Sequence, residues 1–516
     1  MDLPDKTGTA VPVLSGGFRT EVLLCKSVGG PLLNYKFIYG GLDMSSSSNA
    51  MQRILSLLDD NSFVEIGAKV TARATDFNLK PDQTPSDGVI TGYGIIDGNL
   101  VYVYSQNAAV LGGSVGEMHA RKIAGIYDLA IKTGAPVIGL IDSTGFRLQE
   151  AADALNAFAT VYAAQAKASG VVPQITAVFG SCGGGLSLLP AIADFAFMAE
   201  DAKLFVNSPN AIAGNYEDKN DTAAAAVKAA AGMVDGIGTE EEILAKIRTL
   251  VELLPSNNED DAVKDCADDL NRSTPGVAAS MADPALVLSM IADNGIVIET
   301  KEDYAKEMVT ALISLNGITA GVVANRSVIY DAEAAESEKF DTVLTTGGAY
   351  KAADFVKFCD AFDIPVITLT NVTGFAATEG EEKKIADAAG KLAHAFASAT
   401  TAKVNVITGS AVGSAYTVMN SKGLGADLTF AFPDAKVGVM DAKMAAKIIC
   451  DSTDADEIAK VAAEYDALQN SIDSAAARGY IDQIVDPDEL RKYLIGALEI
   501  LYTKREDRPS KKHGTK

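Results

Sequence analysis

The sequence contains no tryptophan and only three histidines, at positions 119, 394 and 513. Histidine is the usual general base near neutral pH and the commonest metal ligand. Chemistry that rests on histidine, or on a histidine–cysteine zinc cluster, has little to draw on here. Cysteine is sparse as well. The five cysteines (25, 182, 266, 359 and 450) form no CxxC pair and no regular spacing, which excludes a disulfide scaffold and implies reduced thiols in a cytoplasmic protein. Positive charge is in deficit: 44 Lys+Arg stand against 68 Asp+Glu, a formal charge of -24. That field repels nucleic acid and anionic lipid. An anionic ligand must therefore meet local basic groups or backbone N–H donors. The start also lacks a signal peptide, since Asp2, Asp5, Lys6 and breaks at Pro and Gly occupy the place of an apolar run. Residues 1–43 show no period and run into Met44 and four serines. They read as a disordered extension or an over-called start.

Long apolar runs are missing too, with one exception. Ser169 to Ala193 carries no charge and is long enough to span a bilayer. Pro173, Gln174, Pro190 and Gly183-Gly184-Gly185 divide it, as a buried strand, a tight turn and a buried helix require.

What the chain does contain is itself, twice. Ala120–Glu150 (ARKIAGIYDLAIKTGAPVIGLIDSTGFRLQE) aligns without a gap on Ala349–Glu379 (AYKAADFVKFCDAFDIPVITLTNVTGFAATE), an offset of 229 residues. Upstream, LLDDNSFVEI (57–66) resembles MIADNGIVIE (290–299), and GIIDGNLVYVYSQN (94–107) resembles LISLNGITAGVVAN (312–325). Downstream, PQITAVFGSCGGGL (173–186) faces KVNVITGSAVGSAY (403–416), and Asp201-Ala-Lys203 returns as Asp434-Ala-Lys436. Matches in one order mean a tandem duplication. Each copy reads as a hairpin around an Asn-Gly or Gly-Asn turn, a helix such as Arg121–Thr133, a short apolar strand, a second helix, a second strand and a Gly-rich turn. Strands alternating with helices predict an α/β fold with ligands at the strand C-terminal ends. The Gly-, Pro- and acid-rich residues 254–285 read as the linker, giving halves at 44–275 and 276–516.

Both copies place small residues after a buried strand and before a helix: Gly183-Gly184-Gly185 and Gly413-Ser414-Ala415. Without large side chains, N–H groups at a helix start lie open to a ligand oxygen. Such a turn suits an oxyanion hole, in which each preorganised donor contributes ~3 kcal/mol. Glycine there also serves close helix–strand packing. The loops Ser143-Thr144-Gly145-Phe146 and Val372-Thr373-Gly374-Phe375 form the second wall of each pocket. Arg147 is placed either to pair with a phosphate or to pair with Glu150. Gly180-Ser-Cys182-Gly-Gly184 fits a nucleophile elbow, but the alignment puts Val412 at the place of Cys182, which favours a small buried residue. His119 and His394 have no evident partner and read as structural.

On these residues the chain resembles the carboxyltransferase (beta) subunits of biotin-dependent acyl-CoA carboxylases and the matching subunits of acyl-CoA decarboxylases. The resemblance runs from about Met51 to His513 and includes LGGS (111–114), ARGYID (477–482) and KKHG (511–514). It implies two tandem crotonase-like domains, each a spiral of ββα repeats, the N-terminal one holding acyl-CoA and the C-terminal one biotin. Biotin would arrive on a separate carrier protein, with a biotin carboxylase or a membrane decarboxylase subunit as further partner and a homo-hexamer as the assembly. By position, Gly184 and Gly185 match the hole for the thioester enolate, and Ser414 and Ala415 the hole for the biotin ureido oxygen. Gly145, Phe146, Arg147, Gly183, Gly374, Phe375, Gly413, Tyr416 and Thr417 match substrate-contacting positions.

Three departures stand out. The family's DSGGAR is here Asp142-Ser-Thr-Gly-Phe-Arg147, its GGAYD is Gly413-Ser-Ala-Tyr-Thr417, and a Gly-rich, His-containing stretch is replaced by Glu379–Lys384. They leave three readings open: a carboxylase component acting on propionyl- or methylmalonyl-CoA, the same subunit of a sodium-pumping decarboxylase, and a scaffold whose second pocket has decayed. Asp441-Ala-Lys443-Met444 is set aside as a biotin-attachment loop, because it follows the repeated Asp-Ala-Lys segment instead of opening a separate domain.

Overall fold

Two tight turns begin the two halves in the same way. Asp97-Gly98 and Asn316-Gly317 each place two successive residues at positive φ (47° and 86°; 52° and 77°), the two-residue turn whose twist matches paired strands. In the first turn Gly98 is a centre residue and Asn99 already belongs to the strand, so Gly-Asn is not the turning pair. The computed structural model describes residues 13–15, 18–20, 48–73, 79–213, 221–261, 263–331, 333–451 and 453–509. It forms two units, 1–46 and 47–516. The first contributes two short antiparallel strands, Val13–Ser15 and Phe18–Thr20; the rest of what was expected of residues 1–43, like the KKHG segment, lies outside the described residues.

The second unit holds two sheets of eight strands. The first contains β1 (Val64–Ile66), β2 (Val89–Ile96), β3 (Asn99–Gln106), β4 (Val137–Ser143), β5 (Gln174–Gly183), β6 (Phe195–Ala199), β7 (Lys203–Phe205) and β8 (Gly236–Gly238). The second repeats it with β9 (Val297–Thr300), β10 (Met308–Leu315), β11 (Ile318–Asn325), β12 (Val366–Val372), β13 (Lys403–Val412), β14 (Leu428–Ala431), β15 (Lys436–Gly438) and β16 (Gln483–Ile484). Their orders are β8-β6-β5-β4-β3-β2-β1, with β7 on β5, and β9-β10-β11-β12-β13-β14-β16, with β15 on β13. The hairpin pairs antiparallel and the later strands parallel, so helical crossovers are required between them. These are α1 (Glu117–Thr133) and α2 (Ala152–Ala168) in the first half, α3 (Thr346–Ala361) and α4 (Ile385–Ser398) in the second. The expected apolar face of α1 is observed: Ile123, Ile126, Tyr127 and Ala130 are buried, and Gly134 ends the helix at φ 65°. The helix begins four residues before the expected Arg121.

Strand register corrects the alignment of the two copies. Ser143 lies beside Cys182, and Val372 beside Ala411; Gly183 lies beside Phe205, and Val412 beside Gly438. The 229-residue offset therefore persists through the Gly-rich turns. Ala411, not Val412, occupies the place of Cys182. The sequence match slipped by one because alternating small residues look alike in either frame.

Residues of both halves meet in one core cluster, which runs from Ala50 through Met419, while the second half keeps a further core around Val309, Val404 and Leu494; Phe195 of the first half meets Phe358 of the second edge-on at 4.8 Å. The expected linker is tied down along the second half. Lys264 donates its N–H to Gly317 O at 2.9 Å, and Arg272 donates to the carbonyls of Met290 and Ala292. The uncharged run resolves as β5, the turn and the short helix Leu188–Ile192. No described helix is long and apolar enough to cross a membrane.

The two hairpin turns differ in the space around them. A Cβ on Gly317 would stand 1.8 Å from Lys264 O, whereas one on Gly98 would meet nothing within 4 Å. Gly98→Ala is expected to cost only the left-handed penalty, ~1–2 kcal/mol, and Gly317→Ala clearly more, with the linker displaced. Urea unfolding of the two variants checks the difference.

Candidate active site

In each half one parallel pair, β4 with β5 and β12 with β13, ends in a bulge, and the two loops that leave it face one another. In the first half the bulge falls between Ile141 and Ser143 against β5. Asp142 then folds over Gly180, whose absent Cβ would lie 2.1 Å from the carboxylate, and Asn371 does the same over Gly409 at 2.6 Å. Beyond the bulge, β5 ends at Gly183, Gly184 adopts φ 63°, and a short helical turn begins; β13 ends at Val412 and Gly413 adopts φ 65°. The equivalent donors are thus Gly185 and Ser414, followed by Leu186 and Ala415. The expected pairing of Gly184 with Ser414 moves by one residue.

At a helix start the first N–H groups have no partner inside the helix. Among the described residues no turn, loop or cap bond draws on the N–H of Gly184, Gly185, Gly413 or Ser414. The space beside Gly184 is open for 4 Å, and Ser414 is exposed. Both turns offer main-chain donors next to free volume, the arrangement that stabilises a developing oxyanion.

The second walls are held identically. Val115 donates its N–H to Gly145 O at 2.8 Å and Arg147 returns one to Val115 O at 3.0 Å; Leu344 donates to Gly374 O and Ala376 to Leu344 O, both at 2.9 Å. Gly145, at φ 106°, approaches so closely that a Cβ would be 3.0 Å from Gly183 O. Phe146 stacks edge-on against Phe158 at 4.4 Å and borders Gly185. Gly145, Phe146, Gly183, Gly184 and Gly185 are therefore brought together. In the second half Phe375 and Tyr416 pack on the common core, burial pushes the Tyr416 phenol up to about 12, and the exposed Thr417 donates to Gly413 O at 3.3 Å. Gly374 faces open space.

Arg147 is not available to a ligand phosphate. Its side chain is fully buried and paired with Asp87 and, at 3.0 Å, with Glu150. A further N–H goes to Ser114 O at 2.7 Å. Asp87 and Glu150 also accept from the backbone, from His119 N at 2.7 Å and Glu117 N at 2.6 Å. The network fastens the 143–150 loop to the start of α1. Burial raises the Asp87 carboxyl despite the guanidinium beside it.

His119 belongs to the same network. Asp87 O can only accept, so Nδ1 donates to it at 2.9 Å, and Nε2 takes a hydrogen from the Gln106 amide at 3.1 Å. Burial, with the charge of Arg147, holds this imidazole well below its ordinary range; it is neutral and structural. Burial raises the Cys182 thiol well above its ordinary range, so the elbow pattern is no nucleophile. Among the described residues, the one hydrogen-bond partner of the His394 ring is Ser398, at 3.4 Å. Among the described residues no cluster is placed to hold a metal.

Glu379–Lys384 also finds its role. Glu381 accepts from Thr346 N at 2.6 Å, capping α3 as Glu150 caps α1, so the acidic stretch replaces a loop anchor and leaves the second turn intact. Asp441 is a helix cap, accepting from Lys443 N and Met444 N. Residues the sequence reading missed are Asp87, Tyr162 and Ser187. Tyr162 lies one helical turn from Phe158, which was the available signal.

A family described as "Carboxyl transferase domain" matches residues 46–515. The propionyl-CoA carboxylase beta chain of Roseobacter denitrificans is 39% identical over 481 residues, covering 90% of this chain and 92% of the relative. The methylmalonyl-CoA decarboxylase subunit alpha of Veillonella parvula is 36% identical over 483 residues, covering 90% and 92%. Among solved structures, transcarboxylase 12S with hydrolysed methylmalonyl-coenzyme A bound superposes with a TM-score of 0.83 at 34% identity, covering 90% of this chain and 92% of that one.

Removing the buried guanidinium leaves two carboxylates uncompensated. Arg147→Ala is expected to lose ~3–5 kcal/mol of stability, read by chemical denaturation. Loss confined to acyl-CoA affinity with stability unchanged would return Arg147 to the binding residues.

Proposed function

The chain belongs to the carboxyl transferase family, and on that premise we propose that it moves a carboxyl group between biotin on a separate carrier protein and an acyl-CoA, propionyl- or methylmalonyl-CoA foremost. It is an acyl-CoA carboxyltransferase. The relatives include a carboxylase and a decarboxylase subunit, which run this transfer in opposite directions.

The observation that carries the reading is the pair of turns in one register, each with a left-handed glycine and undrawn N–H groups. Their residues fit two small planar acceptors: the space beside Gly184 is empty and the second turn carries only Gly, Ser and Ala. Biotin on its carrier would supply the carboxyl, given up as its bond to the ureido nitrogen breaks, and the freed nitrogen would serve as the base for the α-proton. The protein's own task is then electrostatic. Gly184 and Gly185 hold the thioester oxygen as it becomes an enolate; Gly413 and Ser414, with Ala415 behind them, hold the ureido oxygen. Two donors per hole at ~3 kcal/mol each suffice for large rate effects without a side-chain base, in keeping with a neutral His119. Phe146 and Gly145 wall the acyl side, Phe375, Tyr416 and Thr417 the biotin side.

We also propose a homo-hexamer, by analogy with the hexamer assembly of transcarboxylase 12S. Large apolar side chains stand exposed in both halves, Leu148 (83%) and Leu155 in the first, Val439 (70%), Met444 and Ile448 in the second, apolar surface of the kind that a partner subunit covers.

Purified protein given methylmalonyl-, malonyl- or glutaconyl-CoA with free biotin is expected to decarboxylate at least one of them; no turnover on any overturns the reading. Proline at position 184 is unsuitable as a probe, because φ 63° is closed to it. Gly184→Ala instead places a methyl in the open space beside the turn, and is expected to cut kcat by about tenfold or more while costing ~1–2 kcal/mol of stability. Full turnover in that variant removes the turn from the site.

A further inference from the structure

A glycine turn is a risky place to store oriented N–H groups. Gly184 and Gly185 lack the Cβ that restricts rotation, and a flip of either following peptide replaces an inward N–H by a carbonyl. That exchange turns an attractive cradle into one that repels negative oxygen. Something outside the two glycines must bias the flip.

In the first half each of these carbonyls is held. Ser187 Oγ donates to Gly184 O at 2.7 Å, which fixes the peptide carrying the Gly185 N–H. Tyr162 Oη, reaching across from α2, donates to Gly185 O at 2.5 Å and shares that carbonyl with the Leu188 N–H, so the next peptide is held from the helix side and from α2. Gln165, the next residue of α2 on this side, donates to Leu189 O at 3.2 Å and secures the helix that follows. The tyrosine is itself set by packing: its ring lies 6.0 Å from Phe158, which meets Phe146 edge-on. A Cβ on Gly185 would stand 2.8 Å from Tyr162 Oη, so the close approach requires glycine there.

The second half is built otherwise. At the repeat position of Tyr162 stands Lys391, whose amine is 3.0 Å from Asp387 and over the Tyr350 ring. Thr417 holds Gly413 O at 3.3 Å; among the described residues no side chain is recorded on the Ser414 carbonyl. Thr417 stands at the repeat position of Leu188 and not of Ser187, so the two turns hold this carbonyl with hydroxyls from different positions, and the first turn alone carries a second anchor.

We propose that Ser187 and Tyr162 are positioning residues, Ser187 fixing the peptide that carries the Gly185 donor and Tyr162 the adjoining peptide that carries the Leu186 N–H, so that the Gly185 N–H stays turned to the substrate, and that this lock serves the thioester half of the reaction. The inference rests on the carboxyl-transfer reading above. Because the lock acts on an oxygen that is more negative in the transition state than in the bound substrate, its loss appears in kcat and leaves KM in place.

The experiment compares wild type, Tyr162→Phe, Ser187→Ala and, as a control on the exposed face of α2, Thr160→Ala. Readouts are methylmalonyl-CoA decarboxylation with free biotin, melting temperature, and amide hydrogen exchange of the peptide covering 183–188. Tyr162→Phe and Ser187→Ala are each expected to lower kcat about tenfold, with both KM values and the melting temperature unchanged and amide exchange faster. Thr160→Ala behaves as wild type. An unchanged kcat in Tyr162→Phe overturns the inference. So does a loss carried by KM, or one matched by a lower melting temperature. Inactivity of the wild-type protein sinks the carboxyl-transfer reading instead; the hydrogen-exchange comparison then still decides whether the lock exists.

Discussion

One constraint organises this molecule: a chain leaving a buried strand must turn through a left-handed residue and start a helix with its first amides undrawn. Only glycine adopts that conformation without penalty, and Gly184 and Gly413 supply it at φ 63° and 65°. Much of the nearby architecture keeps this turn beside open space. The bulged strand ends bring the second loop alongside, Asp142 and Asn371 close over the glycines behind it, and the caps on α1 and α3 fasten that loop from the other side.

The halves solve one problem with different materials. In the first, the loop is anchored by a buried cluster of Arg147, Asp87, Glu150 and neutral His119, a costly arrangement that holds only while each charge keeps its partners. The second has Ala376 at the place of Arg147 and anchors its loop through Glu381, two residues later than the repeat position of Glu150. Backbone geometry has thus outlived the side chains that support it. That is the pattern expected when the working groups are main-chain amides, because they survive substitutions that would abolish a side-chain catalyst.

A good part of this was legible in the residues. The duplication, the α/β class, the crossover helices, the hairpins and the two Gly-rich turns follow from periodicity and repetition, which are local or self-referential signals. The structural character of His119 was also readable, and that of Cys182 came out as read although the residue at its repeat position is Ala411 and not Val412. Other features were less accessible. The copies slipped by one residue at the turn, since runs of small residues carry no side-chain marker of register. Arg147 was balanced between a phosphate and Glu150, and its burial depends on Asp87, sixty residues away.

The sequence by itself determined the repeat, the order of elements and the presence of two small-residue turns, because each of these is written in neighbouring residues or in the likeness of one half to the other. Only the tertiary structure decided which residues are equivalent across the halves, which charges are sealed away, and which hydroxyls hold the turn. Those outcomes depend on strand register and on helices docked across the sheet. Tyr162 reaches Gly185 across a sequence separation of twenty-three, a distance at which composition and spacing carry no information.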